Sequence, residues 1–180
     1  MAEAAITREL PLAGRMHGGS GASIAAAPAA RRISLRADAS ALGPLSKALG
    51  VTLPNKPKTS ASKGSRIAMW IGPDEWLVVD EDGDPAADCA KVKPAHSAVD
   101  VSHRNTAILV TGPAAADVLN AGCPQDLSLE AFPVGACSRT VLAKIEIVLH
   151  RTAADAFRVE CWRSFSDYAF EFLKDAARGL

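Results

Sequence analysis

An excess of charge of either sign is missing from this sequence. Its 180 residues carry 20 Lys+Arg and 20 Asp+Glu, a formal net charge of zero, and no basic cluster is longer than Arg31-Arg32. A chain without a net field does not gather nucleic acid or an anionic membrane, so neither is an expected partner. Long apolar runs are missing as well, and nothing approaches the ~18 apolar residues that a membrane-spanning helix needs. Glu3, Arg8 and Glu9 interrupt any apolar stretch of a secretion signal, so a cytoplasmic protein is expected. Paired cysteines are the third absence: Cys89, Cys123, Cys137 and Cys161 are scattered, with no C-x-x-C spacing. Zinc sites need short convergent spacings and disulfides need an oxidising compartment, so four free thiols are expected.

What is there is organised around residues 68–80. Two of the three Trp residues, Trp70 and Trp76, flank a polar tip at Gly72-Pro73-Asp74-Glu75. Pro presets the first corner of a turn and Asp tolerates the second, while the β-branched and aromatic flanks predict a hairpin. Neither arm alternates apolar with polar, so both faces of the hairpin must be covered, by this chain or by a partner.

Residues 1–30 are rich in Ala, Gly and Ser, a composition with too little apolar area to offset its ordering entropy. A flexible N-terminal arm is expected there, with Leu10 and Leu12 as anchors on a partner. A single α+β domain is expected over 31–180. Ile33, Leu35 and Ala37 alternate with Arg32, Ser34 and Arg36, which predicts a half-buried strand. Asp38 or Ser40 then caps a helix carrying Leu42, Leu45 and Leu49 on one face and closed by Gly50. A loop is expected over 53–65 and a surface connector over 80–94.

A second round follows. Residues 98–110 predict one long strand, interrupted near His103 to Asn105, and Gly112-Pro113 opens a helix that ends before Gly122. Val141 to Leu149 alternate as a strand, with Phe157, Val159 and Cys161 on the inner face of the return strand. Ser164 is expected to cap a last helix whose Phe165, Tyr168, Ala169, Phe172, Leu173 and Ala176 form an apolar stripe. The expected class is α+β: antiparallel hairpins and strand–helix units in two pseudo-repeated halves, plus a C-terminal helix. Three helices are too few to cover both faces of the Trp hairpin.

Chemistry is sparse. His17-Gly18-Gly19-Ser20-Gly21 lacks phosphate-loop spacing and follows no strand. Ser102 and His103 are adjacent, so on a strand they point to opposite faces and form no base–nucleophile pair. His96 and His150 have no ligand-spaced companions. Asp126 follows a helix and reads first as a cap for the turn after it. No catalytic or metal-binding group is expected on this chain.

Several motifs in order resemble one family, the gamma subunits of bacterial heterotetrameric sarcosine oxidases. They are Leu10-Pro11-Leu12-Ala13, residues 70–77, Val99-Asp100-Val101-Ser102-His103-Arg104, Gly122-Cys123-Pro124-Gln125-Asp126-Leu127 and residues 132–140. More distantly, the chain is similar to the folate-binding domain of aminomethyltransferases of the glycine-cleavage T-protein type. There an Asp at about the place of Asp126 serves folate chemistry, although the Gly-rich acidic stretch expected between the next two strands is missing here. The resemblance implies a holoenzyme that oxidatively demethylates sarcosine to glycine, giving hydrogen peroxide and either formaldehyde or methylenetetrahydrofolate. It implies FAD, FMN, NAD, tetrahydrofolate and zinc on the alpha, beta and delta subunits, and no cofactor on this chain. This chain is then a structural subunit packed chiefly on the folate-binding part of alpha. Leu10, Leu12, Trp70 and Trp76 are the expected contacts, with one of the two tryptophans expected in the core and the other at the interface. The alternative is a small folate-binding or one-carbon transfer protein using Asp126.

Overall fold

The computed structural model describes residues 10–179. In chain order the strands are β1 (Met16–Gly18), β2 (Ser23–Ala26), β3 (Arg31–Ala37), β4 (Ser60–Lys63), β5 (Arg66–Gly72) and β6 (Glu75–Asp80), then β7 (His96–Asp100), β8 (Asn105–Thr111), β9 (Cys137–Leu142), β10 (Ile145–Ala153) and β11 (Ala156–Trp162). The α-helices are α1 (Ala39–Leu49), α2 (Pro85–Cys89), α3 (Ala115–Asn120) and α4 (Ser166–Arg178). The strands build two antiparallel sheets, ordered β1-β2-β8-β11-β10-β9 and β4-β5-β6-β3-β7.

Burial sorts the elements into four layers. Ala41, Leu45, Leu49 and Cys89 from α1 and α2 pack on Ile33, Leu35, Ala68, Trp76 and Val78 of the smaller sheet. On the larger sheet, α3 and α4 bring Val118, Leu119, Phe170 and Leu173 against Ile108, Leu149, Phe157 and Val159. Met69, Leu77, Val79, Cys137 and Val148 fill the space between the sheets. This explains the doubly apolar Trp hairpin, which is β5 and β6. One face of it meets helices and the other meets a second sheet, so this chain covers both.

The two halves repeat. Strand, helix, three-stranded meander and helix recur as β3-α1-β4-β5-β6-α2 and β8-α3-β9-β10-β11-α4, with the last meander strand paired beside the first strand each time. The strand preceding each half crosses into the other sheet: β2 pairs with β8, and β7 pairs with β3. The repeat therefore equates β3 with β8, and the strand expected over 98–110 is two strands in different sheets.

Local chemistry fixes several ends. Asp38 Oδ1 accepts from the Ser40 and Ala41 N–H groups at the start of α1, and Gly50, at φ 67°, closes it in the left-handed conformation. Gly112, at φ 116°, is pressed against Gly21, whose carbonyl oxygen would lie 2.6 Å from an added Cβ.

Other expectations are corrected. Across residues 10–30 the expected flexible arm is β1, β2 and their turns, with Leu12 buried in the core; the free edge of β8 supplies the backbone partners that composition could not reveal. Residues 1–9 of that arm lie outside the described residues. The loop at 53–65 contains β4, which completes the meander, and the connector at 80–94 contains α2, anchored by buried Pro85 and Cys89. The strand expected from Val141 to Leu149 is a hairpin that turns at Ala143, φ 51°. Ser164 does not cap the last helix; the Ser166 hydroxyl donates to the Arg163 carbonyl at 2.8 Å after a short 3-10 turn, Arg163–Phe165. Finally, α4 buries Ser166, Ala169, Phe170, Leu173 and Ala177, leaving Phe165 and Tyr168 exposed.

Candidate functional site

The intersheet space holds a charged seam. Alternation along β3 and β11 sends Ile33, Leu35, Phe157 and Val159 toward helices and turns Arg32, Arg158 and Glu160 inward. Arg32 donates to Glu160 through Nε at 2.6 Å and Nη2 at 3.3 Å, and Arg158 Nε donates to the same carboxylate at 2.8 Å. Arg158 also donates to Glu81 at the rim, 3.3 Å away. A carboxylate holding three guanidinium N–H bonds has little accepting capacity left for a ligand. The adjoining cavity, lined by Ser34, Asn105, Arg139, Glu160 and Trp162, is about 50 Å³, room for water and not for a substrate. The seam is a clasp between sheets.

Ser60 and His150 also meet between the sheets, with Ser60 Oγ 2.9 Å from His150 Nε2. The Ser60 hydroxyl donates to the Gly135 carbonyl at 2.7 Å, so it accepts from the imidazole. Burial, reinforced by the Arg158 charge and opposed by Glu160, pushes the His150 pKa down to about 4. Its Nδ1 is buried without a partner. A base that weak, with no third group to orient it, does not activate a hydroxyl at neutral pH. The thiols are no better placed: burial pushes Cys89 up to about 11 and Cys137 and Cys161 up to about 12, far from the thiolate range. Among the described residues, no group of three or more His, Cys, Asp or Glu side chains is arranged to hold a metal ion.

The residues predicted from sequence scatter. Leu12 and Trp76 are each 1% exposed, and the Trp76 indole donates to the Pro54 carbonyl at 2.7 Å. Both belong to this chain's own core, which corrects their expected place at a partner interface. Leu10 is exposed and Trp70 half-buried on the helix side of its sheet. Asp126 is exposed, and its Oδ1 accepts from the Ser128 N–H at 2.8 Å. That bond and the Ser128 hydroxyl hold its carboxyl below the usual carboxylate range. Ser102 Oγ accepts from the Arg32 backbone N–H at 2.8 Å, tying the β7–β8 crossover to β3. Sequence reasoning missed the exposed aromatics at the start of α4, Trp162, Phe165 and Tyr168. Their three-residue spacing was the available signal; Phe165 and Tyr168 were expected in the core stripe, and Trp162 was not singled out.

A profile described as the sarcosine oxidase, gamma subunit family matches residues 35–179. The chain belongs to this family. The sarcosine oxidase subunit gamma of Corynebacterium sp. (strain U-96) is 34% identical over 136 residues, which span 73% of this chain and 66% of that relative. The subunit gamma from Arthrobacter sp. is 32% identical over 137 residues, 73% of this chain and 67% of its own length. Among solved structures, a chain of the heterotetrameric sarcosine oxidase from Corynebacterium sp. U-96, in complex with pyrrole 2-carboxylate, superposes with TM-score 0.84 at 27% identity. That match covers 96% of this chain and 95% of the other. No helix of this gamma-family chain, among the described residues, is long and apolar enough to cross a membrane.

Proposed function

We propose that this chain is the gamma subunit of a heterotetrameric sarcosine oxidase and serves it as a structural subunit without a reaction centre of its own. The observation that carries the proposal is the near-complete match of the fold to a chain of such an enzyme, TM-score 0.84 over 96% of this chain. The proposed holoenzyme oxidises the N-methyl group of sarcosine with oxygen as acceptor, releasing glycine, hydrogen peroxide and a one-carbon unit as formaldehyde or methylenetetrahydrofolate. FAD, FMN, NAD, tetrahydrofolate and zinc belong to the alpha, beta and delta subunits. This chain packs chiefly on the folate-binding part of alpha, to which its repeated strand–helix units are the aminomethyltransferase-like counterpart.

The triply bonded carboxylate of the seam, the weak His150 base and the Cys89, Cys137 and Cys161 thiols raised by burial support a structural role. Of the residues expected at the interface, Leu10 and Trp70 retain accessible surface and remain in the proposal. A cytoplasmic location belongs to it too, supported by four buried cysteines that form no disulfide. The test is to produce the complex with and without this chain. Its removal should destabilise alpha or let formaldehyde escape capture by tetrahydrofolate. Unchanged assembly and unchanged one-carbon capture would overturn the proposal.

A further inference from the structure

Building on that assignment, we propose that the aromatic face at the start of α4 is a docking surface for another subunit of the complex, and that the segment seated there is apolar and bears carboxylates. Trp162 ends β11, Phe165 closes the 3-10 turn and Tyr168 lies in the first turn of α4; they are 37%, 37% and 40% exposed. Trp162 and Phe165 stack with centroids 5.6 Å apart and planes at 17°, and Tyr168 forms a second pair with Phe172, centroids 6.3 Å apart. The Arg104 guanidinium lies 4.2 Å from the Trp162 ring centroid.

The fold does not use Trp162, Phe165 or Tyr168 for its own core, against which Phe172 packs. With Phe170 and Leu173 turned inward, α4 keeps an apolar stripe wider than the larger sheet can cover. Contiguous exposed aromatic surface marks an interaction site, and Trp, Tyr, Phe and Arg are the residues enriched where partners bury each other.

Charge selects the occupant. Two grooves, about 340 and 590 Å³, share Pro11 and Arg163 and run from Leu10 to the Trp162 edge. Arg104 supplies the cation of the lining; Arg163 already has an interaction partner, and the one carboxylate among the lining residues is Asp167, bound to Arg15. Arg32 is already matched by Glu160. A guanidinium stacked on an indole spends its flat face on the ring and keeps its N–H edge for a planar anion. An Asp- or Glu-bearing segment with an apolar anchor fits this surface; a basic one is repelled by it.

The experiment immobilises the full-length chain and measures binding of the remaining subunits, with melting temperatures of all variants recorded. The Trp162→Ala/Phe165→Ala double variant should bind about tenfold more weakly or worse. Arg104→Glu should slow association and flatten its salt dependence. Leu129→Ala, which trims an exposed apolar residue elsewhere, should bind as the parent does. If the double variant and Arg104→Glu both bind within about twofold of the parent, the docking surface is overturned while the subunit assignment stands. If the parent chain does not associate with those subunits, the assignment itself fails. A lone chain that forms a dimer, lost in the double variant, would assign the face to a second copy and also overturn the inference.

Discussion

Arg32 and Glu160 join the two sheets by a two-point contact, Nε to Oε2 at 2.6 Å and Nη2 to Oε1 at 3.3 Å, with side chains 4% and 1% exposed. Removing one partner of a buried pair leaves an uncompensated charge and costs about 3–5 kcal/mol. The two sides are unequal here, because Glu160 also holds Arg158 at 2.8 Å. Arg32→Met leaves Glu160 with a partner, whereas Glu160→Leu leaves the buried Arg32 without a carboxylate and Arg158 with only Glu81 at the rim. Urea unfolding should therefore find Glu160→Leu the more damaging, and replacing all three residues by apolar ones should recover most of the loss. The reverse order would mean that the clasp is not centred on Glu160.

His150 gives the chain an acid-sensitive term. Its pKa, normally 6.5, is about 4 in the folded protein, so the unfolded chain binds the proton more readily. Stability from this residue is fully present above the unfolded value and is lost as pH falls from about 6.5 toward 4. At ~1.4 kcal/mol per pKa unit the loss approaches roughly 3 kcal/mol. The same measurement on His150→Gln, which cannot titrate, should show a flatter slope across that window.

Much of the fold was legible, and the failures have physical causes. Alternation along β3 and the Asp38 and Gly50 caps of α1 were readable because each rests on neighbours in sequence. The burial of Arg32 was not, since a polar residue facing a second sheet follows the same period as one facing water. The turn at Ala143 carries no Gly, Pro or Asn, so β9 and β10 read as one strand. β1 and β2 are held by pairing to β8, a long-range effect that overrides their composition. Of the candidate site residues, burial removed Leu12 and Trp76, while Phe165 and Tyr168 were hidden inside a stripe whose phase the packing of Phe170 decides.

The two tryptophans of the hairpin should separate cleanly. Trp76→Ala opens a cavity in the layer between the smaller sheet and its helices and deletes the hydrogen bond to Pro54, so it should cost about 3–5 kcal/mol. Trp70 is half-buried in the same layer, and Trp70→Ala should cost roughly 1–2 kcal/mol. Thermal unfolding of the two variants checks the order. Loss of assembly by Trp70→Ala at an unchanged melting temperature would add this edge to the subunit contacts.

Asp126 tests where folate chemistry resides. Its carboxylate is exposed and accepts from the Ser128 N–H, organising the turn there. Calorimetric titration of the lone chain with tetrahydrofolate should therefore give no heat above dilution, and Asp126→Ala should leave both that result and the melting temperature nearly unchanged. Saturable heat in the parent chain that disappears in Asp126→Ala would move a folate site onto this subunit. That outcome would replace the structural role with a direct one in one-carbon transfer, because a carboxylate needed for binding cannot be serving its turn alone.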